Sequence, residues 1–279
     1  MKYIIIAIVG VIAVFGLCFL VSGLIRRKMK KKIPMILHVL IGIVSGLIII
    51  TAAVGIYFSI HYSADEKALA LLNDKNATEI DKAYFIDGDG EDTALIFYPG
   101  AKVDSEAYLP LMKRLADSGI DCFIVKPPLR FALFDINAAD RIIEKYSYKH
   151  VFVSGHSMGG VAASSYASKN PDKVDGVVLL AAYPNSEISD DISLISVYGS
   201  EDKVLDRDAY KNAAPNFPKS FKEVIIKGGN HAYFGNYGEQ SGDGEADITR
   251  DEQQKQTADA ITEYIKYVSP SFVCRLAEG

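Results

Sequence analysis

The sequence predicts an α/β fold, a mostly parallel sheet flanked by helices, preceded by a two-helix transmembrane hairpin. Three observations carry this reading. From residue 79 to residue 268, short apolar runs alternate with amphipathic stretches. Those runs are continuous in Val, Ile and Leu, the pattern of strands buried on both faces of a parallel sheet. Ahead of them lie two uncharged runs, Tyr3 to Ile25 (23 residues) and Ile33 to Ile60 (28 residues). Each exceeds the roughly 20 apolar residues that cross a bilayer.

The first sixty residues are read as the hairpin. Between its spans, Arg26–Lys32 (RRKMKKK) holds six basic side chains in seven residues. Such loops stay cytoplasmic, so the rest of the chain is expected on the extracytoplasmic side of a cell membrane that it crosses twice. A cleaved signal peptide fits poorly: only Lys2 precedes the first run, which is too long, and the basic cluster follows it. His38 is expected as a neutral side chain near the membrane interface. Residues 61–78 read as a polar, helix-prone linker, with a glycosylation sequon at Asn76-Ala77-Thr78, and 79–279 as one domain.

In that domain, Ala83–Ile86 and Thr93–Tyr98 read as strands separated by the turn Asp87-Gly88-Asp89-Gly90. Ser105–Ser118 has helical spacing, Asp121–Val125 is a strand, and Ala132–Tyr146 is a helix. His150–Ser154 is a strand followed by a small-residue helix, Met158–Lys169. Gly176–Ala181, Ile192–Tyr198 and Glu223–Ile226 are further strands. Asn236–Ala246 is a polar loop, Thr249–Tyr267 a closing helix, and Arg275–Gly279 a frayed tail.

Composition excludes several classes. Apolar residues make up 49% and charged residues 23% of the 279, which rules out a disordered chain. The first sixty residues hold seven of the 30 Lys and Arg and none of the 35 Asp and Glu. The remainder therefore carries 23 basic against 35 acidic groups, a net charge of about −12. A body this acidic has no electrostatic footprint for nucleic acid. Three cysteines, Cys18, Cys122 and Cys274, fit neither a disulfide scaffold nor a metal site and read as free thiols.

The chemistry concentrates after the strand His150–Ser154. Gly155-His156-Ser157-Met158-Gly159 fits G-x-S-x-G between a buried strand and a helix, the setting of a nucleophile elbow. The tight turn exposes the Ser157 hydroxyl, and the helix start aims backbone N–H groups at it. A serine hydroxyl needs a base. His231 follows the strand Glu223–Ile226, and Asp202 follows Ile192–Tyr198. Parallel strands bring all three loops to one edge, where His231 would act as base and Asp202 would hold its tautomer. His156 is expected to pack beside the elbow. Backbone N–H groups of Met158 and Ala101 are the candidate oxyanion donors. Lys102 either holds an anionic substrate group or is solvated. Tyr98, Tyr183, Tyr233 and Phe234 either line a substrate pocket or pack.

The segments FYPGAKVDSEAY, VSGHSMGG, YGSEDKV and GGNHAYFGNYG resemble the α/β-hydrolase superfamily, in particular its compact fold-5 branch, similar in layout to dienelactone hydrolase. The resemblance covers about residues 79–268. It implies a Ser157, Asp202, His231 triad with Ala101 and Met158 at the oxyanion hole, and neither a metal nor an organic cofactor. The paired spans are not part of that family pattern. Only about ten residues, Ala182–Asp191, stand where many lipases insert a cap, so the cleft is expected to be open. The expected activity is that of a membrane-anchored serine esterase, acting on a small-molecule or lipid-like ester through an acyl-enzyme on Ser157. Alternatives are an acyltransferase using the same triad, or a catalytically silent binding module.

Overall fold

The computed structural model describes residues 2–28, 34–73, 77–90 and 92–269. Residues 29–32 of the basic loop, Asn76 of the sequon, Cys274 and the tail Arg275–Gly279 lie outside the described residues. The chain divides into two compact units at Ile60/His61.

The first unit is a pair of helices, α1 (Lys2–Lys28) and α2 (Met35–Ser59). The segments Val9–Lys28 and Met35–Ser59 are each long and apolar enough to cross a membrane. Their contact is a small-residue ridge. A Cβ at Gly42 would stand 2.5 Å from the Phe19 ring, and one at Gly46 2.5 Å from the Phe15 ring. Two glycines four residues apart let an aromatic side chain settle on bare backbone, the usual way for apolar helices to associate without a hydrophobic driving force. His38 meets Phe19 edge-on, ring centroids 6.4 Å apart. Arg26, Arg27 and Lys28 close α1, complementing its negative dipole end.

The second unit opens with α3 (Glu66–Asn73). The segment expected as a helix-prone linker thus carries a helix, and its Ala68 is completely buried. The sheet has eight strands: β1 (Thr78–Ile80), β2 (Ala83–Ile86), β3 (Thr93–Tyr98), β4 (Asp121–Val125), β5 (His150–His156), β6 (Gly176–Leu180), β7 (Ser193–Gly199) and β8 (Phe221–Ile226). Their order is β1-β2-β4-β3-β5-β6-β7-β8. β1 and β2 are antiparallel, and all pairings from β4 to β8 are parallel. α4 (Leu109–Ala116) and α8 (Arg250–Val268) pack on one face; α5 (Asp140–Ile143) and α6 (Met158–Lys169) pack on the other. α7 (Arg207–Asn212) follows β7.

Every residue of β3, β4 and β6 is buried. Alternation divides them between two cores, Leu95 and Phe97 with α4 and α8, Ala94, Ile96 and Tyr98 with α6. A strand with an apolar layer on each side has no polar face to write, which is why these runs are unbroken in sequence.

The expected helix Ala132–Tyr146 is instead fragmentary: two 3₁₀ turns, Ala132–Phe134 and Ile136–Ala139, precede the single turn of α5. The cause lies in the sheet. The Tyr98 hydroxyl donates to the Ile136 carbonyl (2.7 Å) and accepts from the Ala139 N–H (3.0 Å), taking two backbone groups that a continuous helix would use. Likewise Ser105–Tyr108 is a 3₁₀ turn leading into α4. β1 and α7 were not expected. α7 is capped by Asp206, which accepts from the Asp208 and Ala209 N–H groups.

Candidate active site

The loops after β3 and β5 leave the carboxyl ends of two adjacent parallel strands whose onward connections run opposite ways, the switch point where α/β sheets hold ligands. Ser157 sits there between β5 and α6 with φ 54° and ψ −123°. A non-glycine residue in this region is strained. The strain is held by three contacts. The Ser157 N–H donates to the Leu180 carbonyl at 2.9 Å, anchoring the turn to β6. A Cβ at Gly155 would lie 2.3 Å from the Gly159 backbone, and one at Gly159 would lie 2.1 Å from the Tyr98 carbonyl oxygen. Both motif glycines therefore answer a close approach of backbone to backbone. Met158 opens α6, so its N–H is one of the four that a helix leaves without an intrahelical partner.

Facing the elbow, His231 Nδ1 lies 2.8 Å from Asp202 Oδ2, and both side chains are buried. The other Asp202 oxygen accepts from the Val204 and Leu205 N–H groups at 2.9 and 2.8 Å. A carboxylate so fixed leaves its second oxygen for the imidazole and selects the tautomer with hydrogen on Nδ1. His231 Nε2 is buried and has no hydrogen-bond partner. The His231 ring stands 4.5 Å from that of His156, the residue preceding Ser157. Ser157, Asp202 and His231 are thus brought to one edge of the sheet.

His156 belongs to a second network. Gly100 N–H donates to the Tyr108 hydroxyl (3.1 Å), which lies 2.9 Å from His156 Nδ1. With its oxygen accepting from Gly100, the Tyr108 O–H is placed to donate a hydrogen bond to an unprotonated Nδ1. Burial, then the neighbouring His231, holds the His156 pKa well below the usual histidine range, so it is neutral. In the same loop the Lys102 N–H goes to the Arg130 carbonyl at 2.8 Å. Gly100 and Lys102 are therefore committed, and Ala101 lies between them. Lys102 has φ 62°, and its carbonyl accepts from Tyr62 N–H.

The histidine loop is built from far along the chain. Asp243 accepts from the backbone N–H of His231 (3.2 Å), Ala232 (2.8 Å), Gly244 (2.8 Å) and Lys203 (3.4 Å), tying the Asp202 and His231 loops together. Gln253 of α8 brackets Asn230, accepting from its N–H at 2.9 Å and donating to its carbonyl at 2.8 Å. Sequence reading missed Asp243, Gln253 and Tyr108.

Of the expected lining residues, Tyr98 needs correction. It is fully buried, with its hydroxyl spent on Ile136 and Ala139, and it packs in the core. Phe234 is likewise buried, 5.6 Å from His156. Tyr233 is partly buried under Arg250, whose guanidinium lies 4.8 Å from its ring. Tyr183 packs edge-on to Tyr210 at 6.2 Å. Among the described residues no cluster of three His, Cys, Asp or Glu forms a metal cage.

Comparison with known proteins places this architecture. A model described as the alpha/beta hydrolase family matches residues 94–255, from β3 into α8. The chain belongs to the alpha/beta hydrolase family. Among solved structures this member is similar to a monoacylglycerol lipase of Paleococcus ferrophilus, 16% identical with a TM-score of 0.52, covering 67% of this chain and 99% of that one. It is also similar to TT1662 of Thermus thermophilus, 12% identical, TM-score 0.51, covering 69% and 97%. A carboxylesterase of Mesorhizobium loti is 14% identical, with a TM-score of 0.50, covering 68% and 99%. These likenesses are of fold. The match leaves the two leading helices of this hydrolase-family chain outside it. No curated protein sequence matches the chain.

Proposed function

We propose that the protein is a membrane-anchored serine hydrolase that cleaves carboxylic esters. The observation that supports it most is the buried His231–Asp202 pair: its Nδ1 is committed to Asp202 and its Nε2 has no partner, beside an elbow that holds Ser157 at φ 54°. Ser157 Oγ attacks the ester carbonyl while its proton passes to His231 Nε2. Asp202 stabilises the imidazolium, and the negative charge that develops on the carbonyl oxygen is met by the Ala101 and Met158 N–H groups. Loss of one such donor costs about 2.7–4 kcal/mol of barrier in a well-studied hydrolase. The imidazolium returns its proton to the departing alcohol. A water, deprotonated by the same nitrogen, then frees the acid and restores Ser157.

The two apolar helices are read as a transmembrane hairpin, with the hydrolase domain outside. The ester preference accords with the lipase and carboxylesterase named among the similar folds. Fluorophosphonate labelling of membranes tests this reading. Wild type is expected to label and Ser157→Ala, at equal expression, to be silent. A folded wild type that does not label would refute it.

A further inference from the structure

The tether between the second apolar helix and the hydrolase domain is very short, and it ends at the rim of the site. α2 closes at Ser59, and Tyr62 is already paired in parallel with Val103. Its N–H donates to the Lys102 carbonyl (2.7 Å), and its carbonyl accepts from the Asp104 N–H (3.0 Å). Three residues further on, the Asp65 N–H donates to the Asn236 carbonyl (2.8 Å), and the Asp65 carboxylate accepts from the Asn236 amide (2.9 Å). The first ordered residues after the helix are thus fastened to the loop that carries Ala101 and to the loop that carries His231.

The three residues from Ser59 to Tyr62 reach at most about 11 Å when fully extended. The headgroup layer on one side of a bilayer is roughly 5–8 Å thick. The covalent chain therefore keeps Tyr62, at this rim, within about 11 Å of the end of α2, little more than the thickness of a headgroup layer.

The neighbouring loop after β4 has a matching character. Leu129 is 54% exposed and Phe134 55% exposed. Leu129 and Arg130 both have left-handed backbone, φ 55° and 56°, and the Arg130 carbonyl bonds the oxyanion loop at Lys102. A leucine at such a φ is a strained choice. Here that strain presents an apolar side chain to the outside, next to the site. Two basic side chains of this rim are paired with acids: Arg130 with Asp104 and Lys126 with Glu79. With a net charge of about −12 on residues 61–279, the domain is repelled by anionic headgroups.

From this we infer, building on the serine-hydrolase and membrane-anchor reading above, that the substrate is a bilayer-resident acyl ester of an uncharged glycerolipid. It enters from the membrane surface over the lip of Leu129 and Phe134. The short tether substitutes for membrane affinity: it holds the mouth at the depth of the ester carbonyls, so that the encounter is effectively intramolecular.

The test uses the full chain in phosphatidylcholine proteoliposomes with two probes, acyl-labelled dioleoylglycerol in the bilayer and p-nitrophenyl butyrate in solution. The first variant inserts a flexible Gly/Ser segment of about 20 residues, with an r.m.s. span of roughly 25 Å, between Ser59 and Ile60. Dioleoylglycerol turnover is expected to fall on the order of tenfold while p-nitrophenyl butyrate turnover holds. The second variant is Leu129→Asn. Asparagine tolerates the left-handed backbone, so the unfolding midpoint should hold or rise while dioleoylglycerol turnover falls severalfold and the soluble ester is spared. Turnover of dioleoylglycerol unchanged by both variants, or no turnover of it beside active soluble-ester cleavage, would overturn the inference and leave the hydrolase reading standing. No turnover of either probe together with no fluorophosphonate labelling would remove both.

Discussion

The two loops that meet at the candidate site are built by opposite means. The elbow around Ser157 is a problem of volume. Gly155 and Gly159 are glycines because the backbone of α6 and of Tyr98–Pro99 occupies the space where side chains would start. The glycines that make room for it lie within five consecutive residues. The loop around His231 is a problem of polarity. Its backbone N–H groups are satisfied by Asp243 and Gln253, twelve and twenty-two residues further along, and its ring by Asp202 of another loop. One half of the site is therefore rigid through exclusion, the other through hydrogen bonds, and the two should fail differently.

Breaking the first half should cost the fold. Gly159→Ala places a methyl group 2.1 Å from the Tyr98 carbonyl oxygen, against backbone that is buried and cannot yield. We expect destabilisation of at least about 3 kcal/mol, at or beyond the upper end for overpacking, read as a lower urea midpoint or as loss of soluble folded protein. An unchanged midpoint in Gly159→Ala would mean that the elbow relaxes, and the contrast between the loops would weaken.

Breaking the second half should cost activity first. Asp243→Ala strips the acceptor from four N–H groups. Solvent can replace part of what is lost, because Asp243 is itself only partly buried. Stability should drop by about 1–3 kcal/mol, while fluorophosphonate labelling slows by on the order of ten- to a hundredfold as His231 loses its fixed position. Asp243→Asn, which keeps one accepting oxygen, should fall between. Labelling at the wild-type rate in Asp243→Ala would show that the loop is held by Gln253 alone.

The smallest effect separates the two halves by pH. His156 lies at their junction, buried and neutral, with its pKa held well below that of the unfolded chain. Between the two values the unfolded state binds the extra proton, so stability rises with pH up to about 6.5 and is flat in this group above it. On acidification through that window, this single group should remove stability at up to about 1.4 kcal/mol per pH unit. His156→Asn should remove that part of the slope, measured from urea midpoints between about pH 4.5 and 7.5, a range that brackets the ordinary histidine pKa. An identical slope in the variant would assign the acid sensitivity elsewhere.

The same contrast explains what could be read from sequence. Buried parallel strands and a glycine-bounded elbow leave local marks, and β3, β4 and α6 run over the residues expected of them. The order of Ser157, Asp202 and His231 along the chain was enough to bring them to one edge. Asp243 was hidden in a polar loop, where one acidic residue looks like any other until the fold shows which N–H groups face it. Tyr108 sits among apolar residues at helical spacing, and its ring does pack as they do, against Phe97. Only the hydroxyl, between Gly100 and His156, departs from that pattern. Leu129 carried no signal, since nothing local marks a leucine held at positive φ.

Tyr98 has a consequence for the order of assembly. By occupying the Ile136 carbonyl and the Ala139 N–H, its hydroxyl stands in for bonds that the segment 132–143 would otherwise make with itself. Short helical turns are marginal alone, and these hold only a few local bonds, such as Asp135 N–H to the Ala132 carbonyl and Ala138 N–H to the Asp135 carbonyl, each 3.0 Å. Their conformation is borrowed from the third strand, so they have nothing to adopt until that strand is in place. We therefore expect the sheet centre to form first and the segment to settle onto it afterwards. The apolar lip that ends at Phe134 is thus among the late-forming parts of the molecule, set only once the strand that leads to the oxyanion loop is already there.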